Sequence, residues 1–127
     1  MTDNAKKKIA QDFIAALSSR NKSALQAIMA DDIVWSLPGS SPMSGEAHGV
    51  EEILKRSEIL HSYGVKITIE HVVYGLRDVA LHLHNTGKRD GLLLDEYLTT
   101  VCQLDGEKIR RLDTFISDVE MLNGFFV

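Results

Sequence analysis

At Gly64-Val65 the apolar residues of this 127-residue chain change period. Upstream they recur every three or four positions, the spacing of one helix face. Downstream they alternate with polar residues, the spacing of a half-buried strand. Residues 4–19 read as a helix on Ile9, Phe13, Ala16 and Leu17, with Thr2 or Asp3 capping its start and Asn21 at its left-handed stop. A second helix starts at Ser23, where Ser23 and Gln26 have capping-box spacing. A third spans 50–62, with Val50, Ile53, Leu54, Ser57 and Leu60 on one face. Between them, Ile33-Val34-Trp35 suits a strand, Pro38-Gly39 ends it, and 39–48 reads as a loop. After Gly64, Ile67, Ile69, His71 and Val73 share a strand face. Val79–Thr86, Leu92–Leu104 and Lys108–Ser117 follow as strands, separated by turns at Gly87–Gly91 and Asp105-Gly106. Helices first and a meander afterwards mean an α+β fold with mostly antiparallel neighbours, in one domain over residues 1–127.

Composition narrows the function classes. A net charge of −4 disfavours nucleic acid, which needs a clustered basic surface. Lys6-Lys7-Lys8, the only basic run, points in three directions on a helix. Cys102 is the single cysteine, which rules out an internal disulfide and a zinc framework. No apolar run is long enough to span a membrane, and the residues after Met1 lack an apolar signal core. A cytoplasmic protein is expected.

Several motifs keep their order and spacing: Phe13-Ile14-Ala15-Ala16-Leu17, Met29-Ala30-Asp31-Asp32, Trp35-Ser36-Leu37-Pro38-Gly39, Ser44-Gly45 with Gly49, Val79-Ala80-Leu81-His82, Asp105-Gly106-Glu107-Lys108-Ile109 and Phe125-Phe126. Together they resemble the nuclear transport factor two-like superfamily, in its SnoaL-like and ketosteroid isomerase-like branch. The resemblance implies a cone-shaped α+β barrel, three N-terminal helices packed on a curved, mostly antiparallel sheet. It also implies a deep, often apolar pocket and a homodimer through the outer sheet face. Fold alone leaves the activity open, because the superfamily holds enzymes, binding modules and inactive members.

The isomerase chemistry of that branch needs a carboxylate base and an oxyanion hole of Tyr and protonated Asp. The matching positions are Leu37, Phe13, and Thr99 or Thr100. None can play these parts, so the resemblance excludes that mechanism. In the Asp–Arg–Asp set of limonene epoxide hydrolase-like members the Arg falls on Leu83, the first Asp on Asn85 and the second on Thr114, next to Asp113, and nothing supplies the Arg. SnoaL-like cyclases use a carboxylate and a His without cofactor. Asp113, Asp118, His82 and His84 are the residues this chain offers, and His82, His84 and Asp113 are the catalytic candidates.

For ligand contacts, the resemblance puts Phe13, Trp35, Leu37 and Thr114 at the pocket together with His82 and His84. Periodicity allows the opposite for the two histidines, because Val79, Leu81 and Leu83 form the apolar set that normally turns inward. On the third long strand, Asp95, Tyr97 and Thr99 share one face and Glu96, Leu98 and Thr100 the other. Anchoring the register at Asp105-Gly106 turns the first set inward and makes Tyr97 and Thr99 ligand contacts. No metal site and no cofactor is expected, since nothing fixes His71 as a third ligand beside His82 and His84. The expected function is a SnoaL-like protein binding a small, moderately apolar or polyketide-like molecule, with cofactor-independent acid/base chemistry of cyclase or isomerase type. The alternative is a non-enzymatic homodimeric or partner-binding module.

Overall fold

The computed structural model describes residues 1–127. The elements are α1 (Asp3–Ser19), α2 (Lys22–Ile28), β1 (Met29–Leu37), β2 (Gly45–His48), α3 (Gly49–Ser62), β3 (Lys66–Tyr74), β4 (Val79–Arg89), β5 (Leu92–Asp105), β6 (Lys108–Ile116) and α4 (Val119–Phe125). The strands form one open sheet in the order β2-β1-β6-β5-β4-β3. Only β1 and β6 run parallel. The sheet curves but does not close, so the expected barrel is an unclosed one. The helices lie against its inner face, and a single apolar core of α1, α3, α4 and inward strand residues fills the space between.

Local chemistry explains the element ends. The Thr2 hydroxyl accepts from Ala5 N–H and starts α1. Arg20, not Asn21, takes the left-handed conformation that stops α1, with φ of 54°. Asn21 instead caps α2, accepting from Ala24 N–H at 3.1 Å, while Ser23 donates to Asn21. The expected Ser23–Gln26 capping box therefore gives way to an Asn cap. Residues 45–48, expected as loop, pair with β1 as β2. The turn expected over Gly87–Gly91 shrinks to Asp90-Gly91, with φ of 52° and 78°. Positive φ at both central residues is the hairpin geometry that Asp-Gly favours. The helix α4 was not foreseen; Asp118 caps it by accepting from Met121 N–H.

Two bulges decide which side chains face the core. One in β3 between Ile69 and His71 leaves Ile67 and Ile69 inward but turns His71 and Val73 outward, opposite His82 and Ala80. The other is on β6, where Arg110 is the extra residue between the pairs Leu104–Ile109 and Gln103–Arg111, so that Ile109 and Leu112 both face inward. β5 alternates without a break, and Asp105 is exposed on the same face as Tyr97, so anchoring the inward face at Asp105 selects the wrong set. The inward set on β5 is Leu94, Glu96, Leu98, Thr100 and Cys102, all buried.

Candidate functional site

Adjacent inward residues of β4 and β5 form a ladder of facing pairs: Asn85 with Glu96, Leu83 with Leu98, Leu81 with Thr100 and Val79 with Cys102. Over its middle, α1, α3 and the 38–44 loop close a small chamber. Its walls are Phe13, Ile14, Leu17, Trp35, Met43, Leu60, Ile67, Leu83, Asn85, Leu98 and Thr100. The volume is about 30 Å³, room for a water but not for an organic molecule. Met43 is the only one of these residues on a loop. That loop is held by hydrogen bonds between Ser41 and Ser44, and by Asn123 accepting from Ser40 N–H at 2.8 Å.

Trp35 is fixed from several sides. Its indole N–H donates to the Thr114 hydroxyl at 2.8 Å, and the Thr114 and Thr100 hydroxyls lie 2.8 Å apart. Phe13 packs edge-on against it, with ring centres 5.9 Å apart. The Arg56 guanidinium lies 4.9 Å from its ring centre. Arg56 is 5% exposed and donates to the carbonyls of Trp35 and Gly45, both at 2.8 Å. Burial lowers the Arg56 pKa to about 10, opposed by the charge of Glu52, so it stays a cation at neutral pH. Arg56 clasps β1, β2 and α3 behind the chamber. In sequence it occupies a position of the α3 apolar stripe, three residues after Ile53 and four before Leu60, which is the signal that marks it.

The ladder's polar rung is the main feature sequence reasoning missed. Asn85 is 8% exposed and Glu96 2%. Asn85 Oδ1 and Glu96 Oε2 are buried without a hydrogen-bond partner in the protein. Such groups cost stability unless paired. Burial pushes the Glu96 pKa up from 4.5 to about 7, and the charge of Asp118 adds to the rise. Continuing the apolar set Val79, Leu81, Leu83 by one step reaches Asn85, so that signal was available. Glu96 is in step with Leu94, Leu98 and Cys102, a signal that anchoring the inward face at Asp105 overrides.

The expected site residues divide between the two faces. Phe13 and Trp35 line the chamber, Thr114 supports it through Trp35 and Thr100, and Leu37 is buried in the core. His82, His84, Tyr97 and Thr99 lie on the outer face. They do not meet the chamber, because the apolar alternations of β4 and β5 turn the other set inward. Asp113 is also outside, accepting from Ser36 at 2.7 Å and from Arg111 at 3.0 Å. His84 Nε2 lies 2.5 Å from Asp95, its Nδ1 lies 3.6 Å from Glu70, and its ring stacks on Tyr97 with centres 4.4 Å apart. His71, His82, Tyr97, Thr99 and Phe115 line an open depression of about 550 Å³ nearby. No group of three or more His, Cys, Asp and Glu side chains is arranged to hold a metal ion. No helix is long and apolar enough to cross a membrane. The Cys102 thiol is buried, and burial with the charge of Asp78 raises its pKa to about 12, so it is not a nucleophile.

Residues 10–112 match the SnoaL-like domain. The chain belongs to the SnoaL-like family. Solved structures carry the same fold. An NTF2-like protein from Burkholderia xenovorans LB400 is 22% identical, with TM-score 0.85 over 100% of this chain and 99% of that one. A SnoaL-like polyketide cyclase, so described for Jannaschia sp. CCS1, is 10% identical, with TM-score 0.74 over 100% and 97%. TerC, co-crystallised with polyporic acid, is 12% identical, with TM-score 0.81 over 96% and 98%. At these identities the likeness is one of fold. The curated proteins contain no significant match to this sequence. The SnoaL-like chain thus shares the α+β architecture of these structures.

Proposed function

We propose that this SnoaL-like protein binds a small, moderately apolar molecule between α1 and the inner face of the sheet. Glu96 is the acid/base group of the site, acting without a cofactor in chemistry of the cyclase or isomerase type. The observation that carries this is the Asn85–Glu96 rung: Asn85 lines the apolar chamber, Glu96 faces it on the next strand, and each has a buried oxygen without a protein partner. A few polar groups in an apolar recess are the usual anatomy of a ligand site. A carboxyl whose pKa is about 7 gives and takes protons at neutral pH. The cyclase and the polyporic acid-bound neighbour support the ligand class. Aromatic and polyketide-like compounds are expected to raise the melting temperature. On any substrate so found, Glu96→Gln lowers turnover by about a hundredfold or more while binding survives. Unchanged turnover in Glu96→Gln, or stabilisation that disappears with Tyr97→Ala on the outer face, would overturn the proposal.

A second reading concerns the outer face, where Tyr97 and Phe115 are 58% and 62% exposed on neighbouring strands. Adjacent exposed aromatics on a sheet face favour association, and a second copy of this chain is the partner proposed. Light scattering should then give twice the 14.1 kDa chain mass, falling to the monomer in Phe115→Lys. A monomer at all concentrations removes this reading and leaves the inner site untouched.

A further inference from the structure

The hydroxyls behind Trp35 can be assigned donor by donor. An indole N–H only donates, so Thr114 Oγ1 accepts at 2.8 Å. Thr114 and Thr100 share one further hydrogen bond at 2.8 Å, in which either hydroxyl can be the donor. If Thr100 gave its proton, Thr114 would hold a buried O–H with no acceptor, which is costly. The arrangement Trp35 to Thr114 to Thr100 leaves instead the Thr100 O–H, and of the two threonines only Thr100 borders the chamber, where a water has room to accept it. Thr100 lines the chamber, so the relay presents a donor there.

The other end of the ladder has the opposite need. Asn85 Oδ1, an acceptor, is buried with no donor, and Asn85 also lines the chamber. Between the two ends lies the apolar rung of Leu83 and Leu98. Inward neighbours on a strand are two residues apart, so the Asn85 and Thr100 rungs are separated by about 13 Å of backbone, less the reach of the side chains.

We infer that the chamber, opened by displacement of Met43, takes a two-ended ligand, with an oxygen acceptor met by Thr100, an apolar or aromatic middle against Leu83 and Leu98, and an O–H or N–H donor met by Asn85. This rests on reading the chamber as a ligand site. A hydroxylated aromatic ketone has this chemistry. Met43 is the element that yields to admit it: it is unbranched, adaptable, and the one wall residue on a loop.

Four probes of matched shape separate the ends: para-hydroxyacetophenone, acetophenone (acceptor only), para-ethylphenol (donor only) and ethylbenzene (neither). Calorimetric titration of the wild-type protein and of Met43→Ala, which enlarges the chamber, is the measurement. Para-hydroxyacetophenone should bind about tenfold more tightly than either single-ended probe, with ethylbenzene weakest. Thr100→Val should erase the advantage of acetophenone over ethylbenzene, and Thr100→Ser should keep it. Asn85→Leu should erase the advantage of para-ethylphenol. Equal affinity for all four, or an acetophenone preference that survives Thr100→Val, overturns the inference and leaves the chamber as an apolar site. Failure of every probe to bind both proteins overturns the chamber itself.

Discussion

Glu96 faces Asn85 on a sheet face that is otherwise almost wholly apolar. Its carboxyl has a folded-state pKa of about 7 against an ordinary 4.5. Because the folded value is raised, the stabilising, protonated state is fully present below about pH 4.5. It is lost as pH rises through about 7, where the folded chain must ionise a buried carboxyl beside Asp118. Denaturant titrations should show stability falling by on the order of 1–3 kcal/mol across that window. Glu96→Gln should flatten the dependence. A wild-type protein as stable at pH 8 as at pH 5 would show that Glu96 is not desolvated in solution. Arg56 is the converse case, a buried cation whose bonds go to two backbone carbonyls. Arg56→Met keeps the stem but strands both carbonyls. It should cost about 2–4 kcal/mol and shift the emission of Trp35, the only tryptophan. An unchanged melting temperature and emission would contradict the clasp.

The elements show what was legible in sequence and why the rest was not. Long amphipathic stretches named themselves: α1, α3 and the last three strands follow from periodicity alone. Short elements and bulges did not. The four residues of β2 exist only because β1 lies beside them. Seven-residue α4 depends on packing, with Phe125 and Phe126 buried and Asn123 accepting from Ser40 N–H. On β5 the exposed hairpin residue Asp105 is in step with Tyr97, while the unbroken apolar set Leu94, Leu98 and Cys102 carries Glu96 inward, so anchoring the inward face at Asp105 read Tyr97 as inward and Glu96 as outward. On β4 the plain apolar alternation of Val79, Leu81 and Leu83 outweighed the family register, and the histidines went outside. Two variants probe α4. Phe125→Ala should cost about 3–5 kcal/mol as a large core truncation. Gly39 has φ of 102°, and a Cβ there would lie 2.6 Å from Asn123 Oδ1. Gly39→Ala should therefore destabilise the junction of loop and α4 by more than 1 kcal/mol. Hydrogen exchange would see it as faster exchange of Ser40 and the α4 amides. Protection equal to wild type would show that α4 does not rest on this contact.

Across the whole molecule, one sheet separates two environments. The inner face holds the chamber, the hydroxyl relay and the Asn85–Glu96 rung. The outer face holds the histidines, Tyr97 and Phe115. Changes on the two faces should act independently, since additivity holds for sites without shared partners. The double variant Glu96→Gln/Phe115→Lys should show the sum of its single effects on melting within about 0.5 kcal/mol. The central claim is that ligand chemistry belongs to the inner face. Its most direct test is a crystal structure grown with para-hydroxyacetophenone or a polyketide-like aromatic. The account predicts ligand density between α1 and the sheet, in contact with Asn85 and Thr100 and with Met43 displaced. Density confined to the outer depression beside Tyr97 and Phe115, with the chamber still closed over Met43, would contradict it.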